Sequence, residues 1–144
     1  MKSGFLFVKV LGLTALLALP LGAPLRAEDA GASEVRATIS GQIEAMRQDD
    51  GAKAYSFAAP SIHLMFPNAD AFMAMVKGGY APVYHPRQFQ FADLAAVDGK
   101  LVQNVEITAA DGTAWVAQYI LARQSDNSLK IEGCKLVQRP GLGA

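Results

Sequence analysis

The stretch Arg87–Arg123, RQFQFADLAAVDGKLVQNVEITAADGTAWVAQYILAR, decides how this chain folds. Its large apolar residues recur at every second position. Phe89 and Phe91 do so, then Val105 and Ile107, then Trp115, Ala117, Tyr119 and Leu121. A period of two puts alternate side chains on opposite faces of a β-strand. Asp98-Gly99 and Asp111-Gly112 interrupt the alternation, and Asp-Gly between alternating segments marks a hairpin because such turns need positive φ. The stretch therefore predicts three antiparallel strands. Leu129–Val137, beyond a turn at Ser125–Ser128, predicts a fourth, with Gly133 marking a bulge or bend inside it. Val116, Gln118 and Ile120 make a second, largely apolar face on the longest strand. Two apolar faces predict a central strand covered on both sides.

Upstream the period is helical. Val35, Ile39, Ile43 and Met46 recur at a spacing of three or four, the pattern of an amphipathic helix. Residues 28–33 read as a flexible lead-in, Ser33 as the N-cap, and Gly51 as the stop. Tyr55–Pro86 follows, YSFAAPSIHLMFPNADAFMAMVKGGYAPVYHP. It is rich in aromatic and large apolar residues but broken by Pro60, Pro67, Gly78, Gly79, Pro82 and Pro86, so no single helix runs through it. It reads as short helical pieces: Gly51–Ala58, a turn opened by Pro60, Ala69–Lys77 capped by Asn68 and ended by a left-handed Gly78, and a last turn before Pro86. Helices first and a four-stranded meander second is an α+β architecture. A sheet of long strands twists and curves. With a helix in its hollow it makes a cone, and the Pro- and aromatic-rich stretch is the plug.

The N-terminus carries an address. Lys2, an apolar run from Phe5 to Leu19, breakers at Pro20 and Gly22, and Leu25-Arg26-Ala27 have the layout of a secretory signal peptide at residues 1–27. The run is shorter than the roughly 20 residues of a membrane span. The expected location is periplasmic or secreted; an uncleaved anchor is the alternative. Cleavage removes Lys2, Lys9 and Arg26 and no acid, so 13 basic and 13 acidic residues become 10 and 13. That balance argues against nucleic acid or anionic membrane as a partner. What remains suits one domain, residues 28–138, with a flexible tail at 139–144. Cys134 is the lone cysteine, which excludes an internal disulfide. It reads as a small buried hydrophobe in a strand, since no base or helix N-terminus near it would activate a thiol.

Gln42-Ile43, Asp49-Asp50-Gly51-Ala52 and Ala54-Tyr55-Ser56-Phe57-Ala58 resemble the opening of cone-shaped NTF2-like and SnoaL-like domains. More narrowly, Phe72-Met73-Ala74-Met75-Val76, Gly79-Tyr80-Ala81-Pro82-Val83 and Ile131-Glu132-Gly133-Cys134 resemble the DUF4864 family of small exported bacterial proteins. The resemblance spans nearly all of the chain after the targeting segment. It implies the cone but no reaction, because the wider fold hosts isomerases, hydrolases, dehydratases and binding modules.

The residues supply no familiar catalytic set. There is no Ser-His-Asp order, no glycine-rich phosphate loop and no paired CxxC. His63 and His85 have no spacing that defines a metal site, and Met73 and Met75, two apart on a helix, point to different faces. Asp49-Asp50 reads as a cap beside a solvated charge. No metal and no cofactor is expected. Aromatic residues with a polar tip suit a pocket wall. The expected lining is therefore Tyr55, His63, Tyr80, Tyr84, Trp115 and Gln118, with Gln90 and Arg123 as further polar groups on strands. The expected function is an exported, non-catalytic module that binds a small apolar or aromatic ligand or another protein. The alternative is a small periplasmic hydrolase or isomerase using His63 or His85 as general base beside a tyrosine. Val116 and Ile120 would let the open sheet face pair with a second copy.

Overall fold

The computed structural model describes residues 27–141. The signal peptide expected at residues 1–27 lies outside the described residues but for its last, as do residues 142–144 of the expected tail. Five helices come first: α1 (Ala27–Arg47), α2 (Gly51–Ser56), α3 (Pro60–Met65), α4 (Ala69–Gly79) and α5 (Ala81–Tyr84). Four strands follow: β1 (Gln88–Val97), β2 (Lys100–Thr108), β3 (Ala114–Arg123) and β4 (Leu129–Gln138). They form one antiparallel sheet in the order β1-β2-β3-β4. The α+β order read from the change of period is the observed one.

The apolar stripe of α1 does what its spacing requires. Val35, Ile39 and Ile43 are fully buried against the inward residues of the sheet, among them Val105, Ala117, Leu121 and Ile131. The helix starts earlier than expected. Residues 28–33 are helical, and Ser33 is interior rather than a cap. Glu28 and Asp29 in the first turn suit the positive end of the helix, and small residues there do not break it. The stop also differs. Asp49 adopts φ +53, the Asp50 N–H donates to the Ala45 carbonyl and the Asp49 N–H to the Met46 carbonyl. This is a Schellman ending with aspartate where glycine is usual. Gly51 opens α2 as expected of the next piece, capped by the Asp50 side chain, which accepts from the Lys53 N–H at 3.1 Å.

Asn68 caps α4 as expected, accepting from the Ala71 N–H at 2.8 Å. Gly78 is not a left-handed stop, since α4 runs on through Gly79 and neither glycine has positive φ. The chain leaves the helix at Tyr80, and Pro82 sits in the first turn of α5, where its missing N–H is harmless.

Asp98 and Gly99 both take positive φ and close a two-residue hairpin. The other two hairpins share a different design. Ala109 bonds Thr113 across three residues with Gly112 left-handed, and Gln124 bonds Ser128 with Asn127 left-handed. In each, an aspartate (Asp111, Asp126) accepts from the N–H and hydroxyl of the residue two ahead. The Thr113 and Ser128 hydroxyls, then the N–H groups, hold those two carboxyls below their ordinary range.

Two bulges bend the sheet. The bulge expected at Gly133 is present: Ile120 pairs with Gly133 but Leu121 with Ile131, so Glu132 is the extra residue. The second, at Ala92-Asp93 opposite Asn104, was not expected. β3 is central, but the sequence reading that both its faces are covered fails. Ala117, Tyr119 and Leu121 are buried, whereas Val116, Gln118 and Ile120 stay half-exposed because the helices gather on the other face. A short parallel bridge ties the helical layer to the sheet. The Ala59 N–H donates to Ile131, and the Ile131 N–H donates to Phe57. Arg139, expected to open a frayed tail, is held by its N–H on Ala114 and by Glu106 at 3.3 Å.

Glu34 on α1 and Arg123 on β3 form a two-pronged ion pair, at 2.7 and 2.6 Å. The hydrogen bonds from Arg123 lower the Glu34 pKa from its ordinary 4.5. A depressed acid contributes stability above its unfolded pKa and loses it as pH falls through the folded value. The urea midpoints of the protein and its Glu34→Gln variant should therefore differ at pH 7 and converge below pH 4.5, the gap shrinking in salt because both groups are exposed. A gap that persists at the acid end would show that the pair does not set it.

Candidate functional site

A cavity of about 220 Å³, open to solvent on one side, lies between the helical layer and the inner face of β3 and β4. α1 places Gln42 and Met46 in its wall; α3 and α4 supply Ile62, Phe72 and Val76; β3 and β4 supply Tyr119, Ile131 and Cys134. Met65, Phe66, Met75, Tyr80, Val83, Glu132 and Gly133 complete it. The β4 bulge helps make this space. At Gly133 a side chain is missing, and an added Cβ would meet nothing within 4 Å.

The wall is mostly apolar. Among the described residues that line it, none is Lys, Arg or His, and the one acid, Glu132, is paired with Lys100 at 2.7 Å. Four polar side chains remain: Gln42, Tyr80, Tyr119 and Cys134. Gln42 is 3% exposed, and its amide nitrogen donates to the Ala54 carbonyl at 3.3 Å. Tyr119 is 1% exposed, and its hydroxyl is buried with no partner among the described residues. Burial, and then the neighbouring Cys134, push the Tyr119 phenol well above its ordinary value of 10, so it stays neutral. Cys134 is partly buried, and desolvation of its thiol pushes the pKa up to about 12. It is therefore a thiol at neutral pH and a poor nucleophile.

Of the six residues expected to line a pocket, this cavity takes only Tyr80. Tyr55 and His63 stack face to face at 3.8 Å. The Tyr55 hydroxyl donates to the Phe66 carbonyl at 2.6 Å, and His63 Nε2 lies 2.9 Å from the Tyr55 carbonyl. Together they fasten α3 to α2. Tyr84 stacks on His85 at 3.9 Å in the same manner. Its hydroxyl donates to Asp49, while His85 Nε2 lies 3.0 Å from the Met46 carbonyl. That pair clamps the end of α1. Trp115 lies elsewhere, donating to the Thr113 hydroxyl at 2.8 Å and lining a smaller, polar hollow with Gln88, Gln90 and Arg139. Gln118 is on the outer face, 3.4 Å from the Asn104 side-chain oxygen. Tyr55, His63, Tyr84 and His85 serve here as fasteners: the polar tips of Tyr55, His63 and His85 reach backbone carbonyls, and that of Tyr84 reaches the Asp49 carboxylate.

Neither histidine lines the cavity, so the acid–base pair that a hydrolase or isomerase would need has no histidine in this wall. Among the described residues no group of three His, Cys, Asp or Glu is placed to hold a metal ion. Also among them, no helix is long and apolar enough to cross a membrane. Gln42 and Tyr119 were the residues missed. Gln42 had a signal, since it is the polar residue on the apolar stripe of α1, three beyond Ile39 and four before Met46. The alternation puts Tyr119 on one apolar face of the longest strand and carries no sign that this position borders a cavity.

A family described as a domain of unknown function, DUF4864, matches residues 28–144. Among solved structures, a chain from Catenulispora acidiphila determined at 2.5 Å superposes with a TM-score of 0.53. It is 16% identical, with 77% of this chain and 93% of that chain covered. At that identity the likeness speaks to the fold alone. No curated protein matches the chain.

Proposed function

The chain belongs to the DUF4864 family, and we propose that this member is an exported, non-catalytic binding module whose cavity holds a small apolar ligand. The carrying observation is the cavity of about 220 Å³, walled mostly by apolar side chains, with no histidine among its described lining residues and its one acid, Glu132, paired with Lys100. An enclosed apolar protein cavity of about 150 Å³ takes up benzene. This one has room for a substituted ring. Helices before a bulged four-stranded sheet, with the cavity between the two layers, support placing it among the NTF2-like cones. Export rests on the reading of residues 1–27, and the intact mass of periplasmic protein, beginning at Glu28, is its check.

Titration with α-methylstyrene, an uncharged hydrocarbon, tests the cavity. Methyl resonances of Ile62, Val76, Val83 and Ile131 should shift together, while those of Val116 and Ile120 on the outer face stay still. No shift, or shifts confined to the outer face, would remove the reading.

A further inference from the structure

We propose that the ligand is a neutral molecule with an apolar body and one O–H or N–H donor, and that the side-chain oxygen of Gln42 accepts from that donor. The inference rests on the cavity being a binding site, and narrows what it binds. Gln42 stands on the apolar stripe of α1 between Ile39 and Met46, lines the cavity and is 3% exposed. Leucine or methionine there would complete the stripe, whereas an amide is costly to bury unless its polar atoms are bonded. One end of the amide is accounted for. The atom 3.3 Å from the Ala54 carbonyl has to be the nitrogen, since two acceptor oxygens would repel. The oxygen is then the other end, and it accepts from no described residue. Nor is it sealed in. Among the described residues, the buried side-chain atoms both sealed and unpartnered are Gln103 Oε1 and Tyr119 Oη, so Gln42 Oε1 keeps accessible surface. That surface lies where the residue borders the cavity.

A ligand that fills the cavity displaces water from the polar groups it covers. Covering an acceptor costs affinity unless the ligand supplies the donor in the water's place. The wall also sets the ligand's charge. With no Lys, Arg or His among the described lining residues, an anion taken down to Gln42 would be buried without a counter-ion. A cation fares no better, because the one acid in the wall, Glu132, is already paired with Lys100. The sulfur atoms of Met46, Met65 and Met75 and the rings of Phe66, Phe72 and Tyr80 favour an aromatic body, since thioethers and rings both pack well against one. A neutral phenol meets all of these demands.

Three probes separate the possibilities. p-Cresol and anisole are isomers whose oxygen does or does not carry a proton, and α-methylstyrene has no oxygen. Binding of each is measured by calorimetry to the protein and to Gln42→Met. The Ala54 carbonyl also accepts from the Phe57 N–H at 3.3 Å, so the substitution strands no backbone group. Gln42→Met is expected to weaken p-cresol about tenfold, the size of one hydrogen bond, and to leave anisole and α-methylstyrene within about twofold. A second readout needs no variant: the side-chain carbonyl carbon of Gln42 should move downfield in NMR spectra when p-cresol is added and not when anisole is. Equal responses of p-cresol and anisole in either measurement, or α-methylstyrene binding where p-cresol does not, would overturn the inference while the cavity stands as a binding site. Failure of all three to bind the unsubstituted protein would overturn both.

Discussion

Gln103→Met is expected to destabilise the protein by about 3 kcal/mol. Gln103 is 0% exposed on the inner side of β2. Its amide nitrogen reaches three carbonyls, those of Ala92 at 3.0 Å, Asp93 at 3.2 Å and Asn104 at 2.8 Å. These surround the β1 bulge, where the regular ladder is interrupted. Methionine matches the shape but offers no donor. Each of these part-buried carbonyls left unpaired costs up to about 1–3 kcal/mol, and losing the unpartnered Gln103 Oε1 offsets part of the total. Gln103→Glu is harsher, at about 5 kcal/mol near pH 7, because an oxygen then faces three oxygens in a buried site. Its carboxyl would fold neutral, with a pKa raised by burial. The unfolded chain ionises first, so this extra penalty grows as pH rises above roughly 4.3 and eases below it. Urea unfolding at pH 4 and pH 7 measures both variants. A loss under about 1 kcal/mol for Gln103→Met would mean the bulge carbonyls find other donors.

Gly41→Ala should cost about 2 kcal/mol, although alanine is the better helix former by up to roughly 1 kcal/mol. A Cβ at position 41 would stand 2.6 Å from Phe57 Cζ and 3.0 Å from Cε1. The end of the ring abuts the α1 backbone. Phe57 cannot retreat easily because its carbonyl is bonded to the Ile131 N–H at 2.9 Å in the bridge to β4. Shortening the ring should relieve the overlap, so Phe57→Leu with Gly41→Ala should lose much less than the two single losses combined. A cycle of urea midpoints reads that coupling. Simple additivity would show that the contact is not what constrains position 41.

The parts that sequence reading reached are those with local causes. Val35, Ile39 and Ile43 had to share a face, Asn68 had to cap what followed it, and Asp98-Gly99 had to turn. The second bulge escaped because Ala92-Asp93-Leu94-Ala95-Ala96 has too few large side chains to show where the period slips. The α1 start escaped because small residues neither break a helix nor announce one. Tyr55, His63 and Tyr84 were placed in a pocket on their chemistry, yet the same amphipathic rings are equally suited to holding two short helices together.

The order of residues by itself determined the succession of helices and strands, the hairpin turns, the β4 bulge and the apolar stripe that joins the layers. Each follows from backbone geometry and from side chains a few positions apart. Only the tertiary structure decided where the cavity opens, that Tyr119 stands unpartnered in its wall, and that Gln103 serves the β1 bulge. A polar group's partners depend on which distant segments come within about 3 Å of it, and no spacing along the chain measures that distance.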